Sequence, residues 1–205
     1  MFNLTRAAEY LQKQLGLSQD ETELILYGLQ VLTYSLAGIL TICLMGWLLG
    51  CLWATIAVAL TAGSLRLVSG GAHSRSPLLC NMLGMLVAPF LAKLAVYAAP
   101  QLSTSVLFVI VLLGALLSLF TFYSLAPVDS AAKPITAVEE RRKFKQLSMA
   151  LTSLITLGQV ILLISGNSPT LTLAMSFGTW WQAFTLTRAG HRFASIVDSP
   201  FLKEV

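Results

Sequence analysis

The chain has 205 residues, of which 56% are hydrophobic and only 11% charged, with a formal net charge of +4. An ordinary soluble domain carries about 25% charged residues, so a self-contained soluble core is excluded: too few polar side chains exist to coat it. The charges are clustered and long stretches hold none, which is the pattern of a polytopic membrane protein.

In chain order, the first segment, FNLTRAAEYLQKQLG, lacks the continuous apolar core of a cleaved signal peptide. Leu4, Ala8, Leu11 and Leu15 recur at helical spacing, with Arg6, Glu9 and Lys13 elsewhere. This reads as an amphipathic helix on the membrane surface, ending at Gly16; the alternative is a frayed helix in solvent. Ser18 and Glu21 match a capping box and open an apolar run from Leu24 to Ala62. At about 20 residues per crossing, that run suits two spans, near 24–44 and 47–63, with a tight turn at Gly46-Trp47. Gly46 and Gly50 form a G-x-x-x-G, a spacing that can let two helices approach closely. Further spans follow near 81–99, 105–125, 147–165 and 170–187. Thr136 and Glu139 match a second capping box, so a helix is expected to begin in the polar loop before the fifth span and to end near Ser165. The expected fold is all-α, one membrane-embedded domain over 1–205 with six transmembrane helices.

Six spans gather Arg6, Lys13, Arg66, Arg75, Lys133, Arg141, Arg142, Lys143, Lys145, Arg188, Arg192 and Lys203 on one side and leave the other without Lys or Arg. The positive-inside rule then puts both termini and residues 64–80 in the cytoplasm. Lys93 breaks the pattern. It lies about 18 Å along a helix that starts at Asn81, where a charge costs about 2.5–3.5 kcal/mol. It is read as snorkelling toward the outer interface, against the alternative of an interior lysine facing a polar cavity or a substrate carboxylate.

Three cysteines are too few and too scattered for a disulfide framework. Cys43 and Cys51 fall in apolar runs and read as small hydrophobes. Cys80 closes the stretch RLVSGGAHSRSPLLC, seven residues after His73. On the reducing side it is a free thiol, and an imidazole beside it would turn it into a nucleophile. Arg66 and Arg75 add positive potential, which favours thiolate. On a straight helix seven residues span about 10.5 Å, too far for a hydrogen bond. A direct pair therefore requires the chain to fold back. Pro77 disfavours a continuous helix and Gly70-Gly71 supplies flexible backbone, so a re-entrant or looped segment on the cytoplasmic side is expected. One His and one Cys fall short of the four ligands of a structural zinc site, and no metal is expected. His191 reads as an ordinary residue of the tail.

Arg66, Ser69, Gly70, Gly71 and His73, an R-x-x-S-G-G-x-H, with Cys80 seven residues on, resemble the AgrB family of bacterial membrane peptidases. A second block agrees: Tyr123, Ala126, Pro127, Lys133 and Pro134 match a Y-x-x-A-P…K-P loop followed by basic residues. Ala72 departs from the aromatic residue that many members place before the histidine. The resemblance implies a thiol protease of quorum sensing in the bacterial cytoplasmic membrane, with Cys80 as nucleophile and His73 as base. It would cleave the acidic C-terminal tail from an AgrD-like pro-peptide and close the remainder, through an acyl-thioester on Cys80, into a thiolactone or lactone autoinducing peptide. Arg66, Ser69, Gly70, Gly71, Arg75 and Asn81 are the candidates for substrate or oxyanion binding, and Ser69, Asn81 and Gln182 for orienting the base. Arg141, Arg142, Lys143 and Lys145 would steer the acidic tail, although such clusters also set topology and meet anionic lipid. The expected partners are the pro-peptide, membrane lipids and a second copy in a homodimer, with no cofactor and no nucleic acid. Two alternatives stand beside the enzyme: a peptide transporter of the same topology and a membrane scaffold. Cys80 discriminates, since only the enzyme needs its thiol.

Overall fold

The computed structural model describes residues 4–72, 77–129, 135 and 137–199, and of residues 77, 78, 80 and 81 it describes the backbone. Helices make up almost all of these residues, and no strand forms among them. The chain divides into two units, Met1–Thr41 and Ile42–Val205.

The first unit holds α1 (Leu4–Leu15) and most of α2 (Gln19–Leu48). Gly16, at φ +64°, ends α1 where the spacing predicts. The capping box also forms: the Ser18 N–H donates to Glu21 Oε2 at 2.8 Å, and the Glu21 N–H to Ser18 Oγ at 3.3 Å.

The second unit holds the end of α2, then α3 (Leu52–Ser69), α4 (Pro77–Ala98) with a 3₁₀ turn (Ala99–Gln101), α5 (Thr104–Leu125), α6 (Val138–Ile164), α7 (Pro169–Leu186) and α8 (Arg188–Asp198). The first turn between membrane-length helices falls later than the expected Gly46-Trp47. α2 continues to Leu48, and Gly50, at φ +67°, makes the turn. The two glycines of the G-x-x-x-G thus do different jobs. Gly50 supplies the backbone conformation, while Gly46 supplies space: a Cβ there would sit 2.6 Å from Thr55 Oγ1. Thr55 is fully buried and bonded to the Cys51 carbonyl. Gly46→Ala is therefore expected to cost about 1–3 kcal/mol through overpacking, read as a lower midpoint of thermal unfolding in detergent. An unchanged midpoint would mean that the α2–α3 corner is loosely packed.

Among the described residues, five helices are long and apolar enough to cross a membrane: α2, α3, α4 with its following turn, α5 and α6. The chain is a multi-pass membrane protein. The segment expected as a sixth span is a helix, α7, as long as α3, but it does not meet that standard of apolarity. Its surroundings supply the reason. α7 packs against α3, α4, α5, α6 and α8, and Thr172, Ser176, Thr179, Gln182 and Thr185 are all buried. A helix sheathed in protein can carry polar groups that lipid would not tolerate. Several of its hydroxyls bond the carbonyl one turn back, as Ser176 does to Thr172 at 3.2 Å. Gln159 of α6 donates to the Thr172 carbonyl at 3.1 Å and to Ser176 Oγ at 2.8 Å.

Small residues set the packing around α7. Ala88, Ala92 and Ala95 of α4 are buried among Val58, Leu173 and Ala174, and such residues let helix backbones approach. A second cluster, Leu65, Phe122, Ala126, Ala183 and Leu186, lies nearer the end of α3. Between α5 and α7 an apolar groove of about 440 Å³ is floored by Gly114, Trp180 and Ala183.

Lys93 donates its ammonium to the Leu49 carbonyl at 3.0 Å and is exposed. That carbonyl belongs to the last residues around the end of α2, where helical acceptors are left over. The lysine thus reaches the α2–α3 turn. The fifth long helix runs to Ile164 with Ser165 as its C-cap, close to the expected end. Its N-cap is Ala137, which offers no side-chain bond. This corrects the Thr136–Glu139 capping box: the helix starts one residue later, so Glu140 holds the third position. Thr136 itself lies outside the described residues. The tail, read as a polar extension, folds into α8. The Thr187 hydroxyl caps it, accepting from the Gly190 N–H at 3.1 Å, and Phe193 packs edge-on to Trp181 with ring centres 6.0 Å apart.

Candidate active site

The last turn of α3 brings Arg66 and Ser69 to one end of the second unit, and the chain leaves it through Gly70 and Gly71. Gly70 takes φ +68° and ψ −146°, and Gly71 takes φ +136°. Both belong to regions that side-chain-bearing residues rarely adopt. Space is also short. A Cβ on Gly70 would meet the Val128 carbonyl oxygen at 2.0 Å, and one on Gly71 would meet Thr185 Oγ1 at 2.7 Å.

Two distant segments and the end of α3 itself close on this turn. From the loop after α5, the Val128 N–H donates to the Ser69 carbonyl at 2.9 Å, and Val128 forms an isolated parallel bridge with Gly70. Val128 follows Ala126 and Pro127, which are joined by a cis peptide bond and both buried. From α7, Gln182 Nε2 donates to Ser69 Oγ at 2.9 Å and to the Gly70 carbonyl at 2.7 Å. Also from α7, the Thr185 carbonyl accepts from the Ala72 N–H at 2.9 Å. From α3 itself, Arg66 Nη2 donates to the Ala72 carbonyl. Ser69 and Gln182 are almost completely buried. A buried polar group left without its partner costs about 1–3 kcal/mol, so these bonds hold the turn in one conformation.

The sequence-predicted residues fall as follows. Ser69 gives its hydroxyl proton to the Leu65 carbonyl at 2.9 Å. Arg66, Ser69, Gly70 and Gly71 therefore all serve the architecture of this turn. Pro77 does not break a looped segment. It is the first residue of α4, and Cys80 and Asn81 follow within the first turns of that helix. The physical reason is that proline is favoured at a helix start, where its missing N–H is not needed. His73 and Arg75 lie outside the described residues, as do the side chains of Cys80 and Asn81. The re-entrant segment, as far as it concerns 73–76, lies there too. Four residues, 73–76, separate Ala72 from Pro77, so across five Cα–Cα steps the two ends can be no more than about 18 Å apart.

Of the basic cluster, Arg141 pairs with Asp129 and donates Nε to the Ile135 carbonyl at 3.1 Å. Lys145 stands over the Tyr123 ring, 4.8 Å from its centre. Arg142 and Lys143 are exposed on the first turns of α6. His191 is exposed on α8, with Nδ1 2.9 Å from the Thr187 carbonyl. Sequence reasoning missed Thr185 and Val128, which act through backbone groups and so leave no side-chain signature. Gln182 had one legible signal: an amide in a helix otherwise polar only through hydroxyls.

Comparison with known proteins places the chain in a family. The family model described as accessory gene regulator B matches residues 4–186. The chain is 29% identical over 201 residues to AgrB-like protein 2 of Clostridium perfringens (strain 13 / Type A), covering 94% of this chain and 93% of that one. It is 26% identical over 204 residues to an AgrB-like protein of C. perfringens strain SM101, with 94% and 93% covered. AgrB-like protein 1 of strain 13 is 30% identical over 177 residues, covering 86% of this chain and 91% of that protein. No solved structure matches.

Proposed function

This chain belongs to the accessory gene regulator B family, and from that premise we propose that it is a membrane cysteine endopeptidase and peptide cyclase of agr quorum sensing. Its substrate is an AgrD-like pro-peptide, its nucleophile Cys80 and its base His73. The observation that carries this reading is that α4 begins at Pro77, so that Cys80 sits in its first turn, eight residues beyond Ala72, the last residue of the pinned turn. A helix N-terminus carries positive potential and favours negative charge developing beside it.

The chemistry follows from that placement. The Cys80 thiolate attacks the carbonyl that joins the signal segment to the acidic tail. Negative charge develops on the carbonyl oxygen and needs donors. The first N–H groups of a helix have no intrahelical acceptor, so those of Leu78 and Leu79 suit that role better than Arg66, which is engaged with Ala72. His73 protonates the departing amine. The tail leaves, and the signal segment remains as a thioester on Cys80. A cysteine or serine within the segment then attacks the thioester, frees Cys80 and closes the ring. The thioester survives for exchange only where water is kept out. The basic face of α6 draws the acidic tail to the cytoplasmic side, where the termini also lie.

Lys93 is spent on a turn carbonyl, which favours the enzyme over a transporter that would use it along a path. The decisive experiment is mass spectrometry of a synthetic AgrD-like peptide, bearing an internal cysteine and an acidic tail, after incubation with membranes holding the protein. Released tail, plus a segment lighter by one water than its linear form, supports the reading; an intact peptide sinks it. A subsidiary expectation concerns the tail. Reversing Arg142 and Lys143 to Glu should raise KM about tenfold at low ionic strength, with the effect fading as salt shortens the Debye length to about 8 Å. A KM that does not move would leave these residues to topology and lipid.

A further inference from the structure

The turn before His73 contains the two most permissive residues of the site, Gly70 and Gly71, both at positive φ. Glycines give a chain its greatest freedom, yet a catalytic base must be held closely: a misplacement of about 1 Å can cost 10²-fold in rate. Something must remove that freedom. The Ser69 and Ala72 carbonyls accept from Val128 and Arg66, and the Gly70 and Ala72 N–H groups donate to Arg66 and Thr185. The Gly70 carbonyl takes its short bond from the Gln182 side chain, at 2.7 Å, with Ser69 Oγ at a marginal 3.4 Å. That bond also settles the orientation of the amide. A carbonyl oxygen only accepts, so the Gln182 nitrogen must face it. Both amide protons are then spent on the end of α3, one on Gly70 and one on Ser69 Oγ.

Resting on the dyad reading above, we propose that Gln182 is a positioning residue for catalysis: it locks the Gly70–Gly71 peptide and thereby orients the backbone that leads into His73. α7 is suited to the task. It packs against α3, which leads to His73, and against α4, which carries Cys80. One rigid element thus sets both halves of the dyad, and Gln182 with the Thr185 carbonyl is its grip on the base-bearing side.

The test reads the thiol directly. The chain has three cysteines, so Cys43→Ser and Cys51→Ala leave Cys80 as the single thiol, and its alkylation by iodoacetamide is followed at pH 7 in membranes. Gln182→Met keeps the length and removes both donors. It is expected to slow alkylation about tenfold, to the rate of His73→Ala, because an unassisted thiol is only a few per cent ionised at that pH. Gln159→Met is the control. It removes a buried amide of the same chemistry from α6, where it serves Thr172 and Ser176, and should lower stability while Cys80 reacts at its parent rate. Parent-rate alkylation in Gln182→Met, or equal slowing in both glutamine variants, would overturn the proposal. If His73→Ala also reacts at the parent rate, the dyad reading itself fails, a result distinct from failure of Gln182 alone. Should Gln182→Met not accumulate in the membrane, Ser69→Ala removes one of the two acceptors. It should slow alkylation about threefold, and a parent rate there overturns the proposal equally.

Discussion

Cys80→Ala and His73→Ala are each expected to abolish release of the acidic tail from the pro-peptide, lowering turnover by at least about 10³-fold. Losing a nucleophile, or the base that activates it, removes covalent catalysis as a unit, and the double variant should be little worse than either single one. Cys80→Ser sharpens the test. A hydroxyl ionises far less readily than a thiol, and an ester on serine would exchange less readily than a thioester, so the serine variant should resemble the alanine one. Peptide processing by each variant is read by mass spectrometry at matched membrane expression. If all three variants cut and cyclise as the parent does, Cys80 is not the nucleophile, and the transporter of equal topology becomes the better account.

Gly70→Ala is expected to be nearly as damaging, although alanine adds only one methyl group. The φ of +68° and ψ of −146° lie in a region that is almost exclusively glycine's, with a strain of about 1–3 kcal/mol for other residues. The new methyl would also meet the backbone oxygen of Val128 at 2.0 Å. A side chain could rotate away from such a contact, but a backbone carbonyl moves only if its segment moves. The Gly70–Val128 bridge and the bond from Val128 to the Ser69 carbonyl should open together. Turnover is expected to fall by about 10²-fold, and the unfolding midpoint by several degrees. Gly158, where an added Cβ meets nothing within 4 Å, supplies the comparison: its alanine variant should behave as the parent. A Gly70→Ala protein with full activity would show that the pinned turn is not what prepares the site.

Much of this protein was legible without coordinates, and the reason is that the legible features are local. Scarcity of charge over long stretches reports the lipid environment residue by residue. The Ser18–Glu21 box and the glycine stop at Gly16 are written within four residues of chain, so they form as read. The order Arg66, Ser69, Gly70, Gly71, His73, Cys80 is likewise a local string, and it was enough to indicate the family. Local rules faltered where two answers were compatible with the same residues. Gly46 and Gly50 look alike in sequence. Only the packing of Thr55 against one and the positive φ of the other assign the turn. Pro77 can break a helix or begin one, and it begins α4.

What only the tertiary structure decided is the position of α7 and everything that depends on it. The sequence reads it as a sixth span, yet its hydroxyls and its glutamine leave it less apolar than the other long helices, as a helix with every face in lipid could not be. Neighbouring helices cover those faces instead. The same burial brings Gln182 and Thr185 onto a turn more than a hundred residues earlier in the chain, and brings Val128 to it from a third place. Such convergence leaves no periodicity to read, since the partners are backbone groups that every residue possesses and the distances between them are set by how whole helices pack. The sequence by itself determined the environment and the helices and singled out Cys80 and His73 as candidates; the packing around α7 determined how the backbone up to Ala72 is held.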